Sequence, residues 1–227
     1  AQTAWLARSP EGPLAKIGFL AQANTLQGVL RIYSSGWSLT ACMQAEFINK
    51  GHHERAQRPN GRPVIDGYLI GTCPEYGRII LPKRAAVIEI VSESSYLGAL
   101  VDHTVAARQA DSDKPGESRF RWYDIAGTSD DNYLDLPQFS IVAHQTGLPN
   151  KFATQCAETH SHLPGLNHVA RATLAALDTW VRSGHAPSPG KFFDLNNEQT
   201  IQRDKYGNAL GGVRPYWVEV PTTTYVA

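Results

Sequence analysis

The feature that most constrains the fold of this chain is an apolar strand joined to a helix by a short turn. Residues 29–33 are apolar and rich in β-forming side chains, which predicts a buried strand. Residues 39–50 carry apolar side chains at helical spacing. The turn between them runs from Gly36 to Ser38. A buried strand feeding directly into a helix is typical of layered α/β folds with parallel strands.

The rest of the chain continues this alternation. The clearest helix is predicted over residues 169–181, with Asn167 as its N-terminal cap and Gly184 at its end. Weaker helical patterns occur at residues 13–23 and 95–108. Further strands are predicted at residues 64–71, 85–93 and 119–127. Residues between the last strand and the 169–181 helix are predicted to be irregular.

The predicted fold class is therefore α/β, with a mostly parallel sheet and flanking helices. The 227 residues suit a single domain over 1–227. The turn-rich tail, residues 191–227, is predicted to pack over its surface.

Charge and hydropathy exclude several function classes. Lys and Arg balance Asp and Glu, so the formal net charge is zero, and neither nucleic acid nor an anionic membrane is an expected partner. No apolar run approaches the roughly 20 residues that cross a bilayer. The pair Gly211-Gly212 precedes no predicted helix, so a phosphate loop is not expected and no cofactor is predicted.

Ser38 has two interpretations. It can be an ordinary helix cap, for which serine is favoured. It can also be a nucleophile on a strained strand-to-helix turn, which needs small residues two places before and after it. Gly36 meets that need fully, whereas Thr40 meets it in part because a β-branched side chain crowds the turn. In the second interpretation the helix N-terminus and the Leu39 N–H face a developing oxyanion.

A serine nucleophile needs a base and an acid that orients the base. Glu93, just past the 85–93 strand, is the candidate acid, although a glutamate at a strand end can equally be solvated. The base is expected after the last strand, but the sequence there is TSDDNY and contains no histidine.

Several stretches together resemble a large family of α/β-hydrolase-domain proteins from bacteria and fungi. They include GWSLTACMQAEFINKGHH, VIEIVSES, RFRWYDIAGTSDDNY and the tail GNALGGVRPYWVEVPTTTY. The resemblance implies an α/β-hydrolase fold and a serine-esterase-like activity on small-molecule esters. It carries Ser38 over as nucleophile and Glu93 as acid, since the second acidic position of the family is Ser95 here.

One departure from the family concerns the general base. The AGTS block usually continues into a histidine, and Asp130 stands there in this chain. An ordinary aspartate has a pKa near 3.9, which makes it a weak base at neutral pH. The alternative base is His160, in the loop ETHSHLPG, although a surface histidine is the simpler interpretation of it. His162 and His168 lie nearby, and a metal site built from these three histidines is a weaker alternative.

A second departure concerns the first half of the fold. Only about 28 residues precede the strand before Ser38, so the chain is expected to hold the second half of a hydrolase sheet. A second chain or subunit is a possible partner that completes it. The chain begins with Ala1, and its only methionine is Met43, which predicts a processed or truncated N-terminus and permits a secreted or periplasmic location.

Cysteines and an adjacent histidine pair give weaker predictions. Cys42 falls in a helical pattern and is expected to be a small buried apolar residue, while a Cys73–Cys156 disulfide is possible. His52 and His53 lie in a polar loop and are expected to be solvated.

Two functions from different classes follow. The first is a serine hydrolase acting on carboxylic esters or related acyl substrates. The second is a non-catalytic, hydrolase-like binding or assembly module, favoured by Asp130 in place of the histidine.

Overall fold

The computed structural model describes residues 30–73, 77–97, 100–114, 118–130, 136–147, 166–221 and 224–225. The helix predicted at 13–23 lies outside these ranges. None of the described helices combines the length and apolarity that a bilayer span requires.

A five-stranded sheet forms the centre of the domain, in the order β1-β2-β3-β5-β4. Its strands are β1 (Tyr33–Trp37), β2 (Gly67–Gly71), β3 (Ala86–Ser92), β4 (Ser112–Asp113) and β5 (Arg119–Ile125). The pairs β1–β2, β2–β3 and β3–β5 are parallel, and only the short β4 is antiparallel. The predicted mostly parallel α/β fold is confirmed.

The first strand lies later than predicted. It covers Tyr33–Trp37 rather than residues 29–33 and so runs directly into Ser38. The strand was not predicted at these positions because it contains two polar residues, Ser34 and Ser35, which interrupt the apolar pattern. They are tolerated because β1 is only half-buried, whereas β2 and β3 are buried along their whole length.

Helices cover both faces of the sheet. Helices α1 (Leu39–Asn49) and α3 (Val101–Ala107) pack on one face. Helix α5 (Asn167–Ser183) packs on the other, where Leu177 and Trp180 are buried against β-strand residues such as Ile88. The other described helices are α2 (His52–Arg55), α4 (Leu136–Thr146) and α6 (Tyr216–Glu219).

Two local predictions about helices need correction. Residues 136–146 form α4 in a region predicted to be irregular, because exposed Ile141 and Val142 blur its apolar periodicity. Helix α5 begins at Asn167 itself, and Leu166 occupies the cap position. The predicted end of this helix is confirmed, since Gly184 takes a left-handed conformation with φ 75°.

The C-terminal segment does more than cover the surface. Lys191 and Val213 each bridge to β5 in parallel fashion, through hydrogen bonds to the backbone of residues 122–126. Phe193 and Trp217 enter the core on the side of α1 and α3. This segment is thereby held beside the loop that follows β5.

Candidate active site

Ser38 adopts a strained backbone between β1 and α1. Its φ is 49° and its ψ −125°, and its side chain makes no capping hydrogen bond to the helix. Positive φ is uncommon for a residue other than glycine. An ordinary serine cap has extended backbone and bonds the helix N–H groups with its hydroxyl. The geometry therefore differs from a simple cap and matches the tight turn that presents a nucleophile.

Two small or polar neighbours permit this turn. A Cβ on Gly36 would lie 2.7 Å from the backbone carbon and oxygen of Thr40, so only glycine fits there. Thr40, where the turn favours a smaller residue, uses its hydroxyl instead. Its Oγ1 accepts from the Trp37 N–H at 2.8 Å and donates to the Trp37 carbonyl at 2.7 Å. The side chain that was expected to crowd the turn closes it with hydrogen bonds.

The turn is also fixed to the next strand. The Ser38 N–H donates to the Gly71 carbonyl at 3.0 Å. The Trp37 ring lies over Gly71, where an added Cβ would be 2.1 Å from Cε3. The ends of strands β1 and β2 are therefore held in a fixed position relative to each other at the site.

A disulfide joins Cys42 on α1 to Cys73 just past β2, with a Cα–Cα distance of 5.1 Å. Cys42 is buried as expected, but it is not a free thiol, and the possible Cys73–Cys156 pairing is wrong because Cys73 pairs with Cys42. The reason is the fold itself, since parallel β1 and β2 bring the first turn of α1 beside the end of β2. Cys156 lies outside the described residues.

Glu93 lies past β3 with its carboxylate fully buried. Its Oε2 accepts from the Gly127 N–H at 2.8 Å. Its Oε1 lies 2.7 Å from Nη1 of Arg203, an ion pair without the alignment of a hydrogen bond. Both oxygens thus have protein partners, and orienting a base would fall to the remaining lone pairs.

Asp130 lies among serines from the loop after β3. Its carboxylate accepts from the Ser92 hydroxyl, and its N–H donates to the Ser94 Oγ at 3.1 Å. Burial raises the pKa of Asp130, and the hydroxyls of Ser92, Ser94 and Ser95 partly oppose this rise. A carboxylate with a raised pKa is a stronger base than an ordinary aspartate.

Two histidines named as candidates, His160 and His162, lie outside the described residues. His53, expected to be solvated, is instead buried: its ring nitrogens lie 2.8 Å from the Tyr68 hydroxyl and 3.0 Å from the Lys83 carbonyl. Burial lowers its pKa. Within the described part of the chain, no three His, Cys, Asp or Glu side chains are grouped for a metal ion.

The sheet topology determines which predicted residues meet. The parallel strands end at the same edge, with Ser38 after β1 and Glu93 after β3. At about 4.8 Å per strand, roughly 10 Å separates their backbones. The loops after β3 and β5 are in direct contact, since the N–H groups of Glu93 and Ser94 both donate to the Thr128 carbonyl. The structure thus brings Glu93 and Asp130 together beside β3, with Ser38 across β2.

Sequence reasoning missed three features at this edge: the partner of Glu93, the serines around Asp130, and Thr72 directly after β2. One signal was available. Ligand-binding residues in parallel sheets lie at the carboxyl ends of strands, and both Thr72 and the Ser92–Ser95 run occupy such positions. Arg203 carried no signal, because its pairing joins residues 110 positions apart, from 93 to 203.

Comparison with known proteins agrees with the α/β fold. A family model described as an alpha/beta hydrolase domain matches residues 3–227. The chain belongs to this α/β-hydrolase-domain family, which supports hydrolase activity in general. No curated protein and no solved structure matched the chain.

Proposed function

We propose that this protein is a serine hydrolase that acts on carboxylic esters or related acyl substrates, with Ser38 as nucleophile. The single observation that carries the proposal is the backbone of Ser38, at φ 49° and ψ −125° with no capping hydrogen bond. Strained residues persist where the surrounding structure holds them, and they cluster at functional sites.

The chemistry follows from this placement. The Ser38 Oγ bonds to the substrate carbonyl carbon while a base removes the hydroxyl proton. The oxyanion that forms accepts from the Leu39 N–H, which belongs to the first turn of α1 and has no partner within the helix. The tetrahedral species collapses to an acyl-enzyme as the alcohol leaves with the transferred proton. Water then attacks the acyl-enzyme and releases the carboxylic acid.

Two residues are candidates for the base. Asp130 occupies the position where the resembling family has histidine, and its raised pKa favours a role in proton transfer. His160 is the other candidate. Glu93, held in place by Arg203 and the Gly127 N–H, is the orienting acid when His160 is the base, because an imidazole N–H can donate to it.

A non-catalytic, hydrolase-like binding or assembly module is the second candidate function. The contacts of Asp130 favour it, because the carboxylate is bonded to Ser92 and enclosed by serines. In this case the protein binds an acyl compound at Ser38 and does not turn it over.

We also propose that another polypeptide segment completes the sheet along β1. Among the described residues β1 pairs only with β2, and it is half-buried. An unpaired strand edge offers free N–H and C=O groups to a further strand.

Steady-state hydrolysis of p-nitrophenyl acetate tests the enzymatic proposal. We expect turnover in the wild-type protein and at least a 100-fold loss in Ser38→Ala. In Asp130→His, a large gain in rate would indicate that the rest of the site is assembled. A folded wild-type protein with no activity above Ser38→Ala would favour the binding module.

A further inference from the structure

A second strained residue lies next to Ser38. Thr72, directly after β2, has φ 53°. For a β-branched side chain this conformation is an outlier. Its occurrence beside Ser38 places two strained residues at the ends of two adjacent parallel strands.

The side chain of Thr72 is buried without a partner. The residue is 5% exposed, and its Oγ1 makes no hydrogen bond within the described part of the chain. Leaving a buried hydroxyl unpaired is unfavourable, because the hydrogen bonds it made to water are lost without replacement. Such a group in a native structure needs an explanation, and a ligand that supplies the missing hydrogen bond is one.

The register of the sheet places Thr72 opposite Ser38. Trp37 pairs with Gly71, so the next residue on each strand is Ser38 and Thr72. The Ser38 N–H donates to the Gly71 carbonyl at 3.0 Å. With neighbouring strands about 4.8 Å apart, the two backbones are adjacent.

The position of Thr72 is held from two sides. Its N–H donates to the Ile90 carbonyl of β3 at 2.8 Å. The following residue, Cys73, is joined by the disulfide to Cys42 on the helix that begins after Ser38. The backbone of Thr72, which carries the hydroxyl, is therefore fixed relative to the backbone of Ser38, as recognition of a reacting group requires.

We infer that Thr72 is a substrate-binding residue, whose hydroxyl donates a hydrogen bond to an oxygen of an acyl ester bound at Ser38. This inference rests on the proposed function for the location of the substrate, and it goes further by naming the side chain that recognises it. Binding then provides the hydroxyl with the partner it lacks in the free protein.

The first test compares Thr72→Val, which keeps the branched shape, with Thr72→Ser, which keeps a hydroxyl. For p-nitrophenyl acetate we expect kcat/KM to fall about tenfold in Thr72→Val and to stay near wild type in Thr72→Ser. The Tm of Thr72→Val should be equal to or above that of wild type, because an unpaired buried hydroxyl is removed. A lower Tm with unchanged kcat/KM would mean a structural role and would overturn the inference.

The second test does not depend on Ser38 as a nucleophile. In the Ser38→Ala protein, millimolar methyl butyrate should raise the Tm, and adding Thr72→Val should weaken this apparent affinity about tenfold. If the wild-type protein hydrolyses no ester but this difference appears, the proposed function fails and the inference stands. Equal affinities with and without the Thr72 hydroxyl, or no binding at all, contradict the inference.

Discussion

Two regions at the carboxyl edge of the sheet are built in different ways. The turn after β1 is strained at Ser38, whose hydroxyl makes no capping hydrogen bond to the helix. In the loops after β3 and β5, by contrast, Glu93 is joined to Arg203 and Asp130 to Ser92. The first region holds an exposed serine on a strained backbone, whereas the second pairs its charged groups with neighbouring side chains.

The two regions differ in how far apart along the chain their contacting residues lie. The turn depends on contacts within a few residues, between Gly36, Trp37 and Thr40. The loops after β3 and β5 depend on partners far apart in sequence, such as Glu93 and Arg203. A change of partner in the second region can therefore occur without disturbing the first.

The largest expected effect is at Gly36. In Gly36→Ala the new Cβ meets backbone atoms of Thr40 at 2.7 Å, so the turn has to shift. We expect a loss of about 3–4 kcal/mol in the free energy of unfolding, measured in urea. Gly61→Ala is the matched control, since no atom lies within 4 Å of its added Cβ. Its positive φ should cost only about 1 kcal/mol, and equal losses in the two variants would refute the role given to close packing at Gly36.

The disulfide beside the turn gives the next effect. Replacing Cys42 and Cys73 together by alanine opens a loop closed across 31 positions. The expected loss in the free energy of unfolding is about 3 kcal/mol. Peptide mapping of the non-reduced protein should recover the Cys42–Cys73 link, and Cys156→Ala should leave it intact. Recovery of a Cys73–Cys156 link instead would contradict the structure.

Arg203→Gln tests the ion pair with Glu93 in the loop after β3. It leaves the Oε1 of fully buried Glu93 without its ion-pair partner. We expect a loss of about 2 kcal/mol, reduced from the cost of a fully buried pair because Arg203 is partly exposed. Adding Glu93→Gln to the Arg203→Gln protein should restore part of the lost stability, because it removes the unpaired buried charge. The control Arg62→Gln, at a more exposed pair whose Asp66 also binds Arg58, should cost much less, and a similar cost would argue against a structural role for Arg203.

The smallest effect concerns the pH dependence of stability at Asp130. Burial raises its pKa in the folded protein, so the folded state holds the proton more tightly than the unfolded state. Its contribution is therefore fully present below pH about 3.9. It is lost as the pH rises through the pKa of the folded state. Subtracting the urea-unfolding profile of Asp130→Asn from that of wild type should isolate this fall, and a difference that rises with pH would invalidate the assigned direction.

The sequence predicted the parts of the fold that depend on local pattern. The α/β class and helix α1 follow from periodicity, and the need for glycine at 36 follows from the spacing around Ser38. Helix α4 was not predicted because its exposed apolar side chains, Ile141 and Val142, do not lie on a single face.

The predictions that failed or were missing involve contacts between distant segments. The Cys42–Cys73 bond and the burial of His53 against Tyr68 appear only when β2 is placed beside α1 and α2. The backbone strain at Thr72 has the same origin, since threonine carries no preference for positive φ. The spacing of residues along the sequence does not show which distant segments lie close together in the fold.

The central claim, a nucleophilic Ser38 on a strained turn, is tested most directly by a fluorophosphonate probe that modifies activated serines. Wild-type protein, Ser38→Ala and the control Ser35→Ala, at an exposed position on β1, would be treated in parallel and checked for folding by circular dichroism. We predict that mass spectrometry places the adduct on Ser38 in the wild-type and Ser35→Ala proteins and finds none in Ser38→Ala. A folded wild-type protein that stays unlabelled, or labelling that persists in Ser38→Ala, would contradict the account.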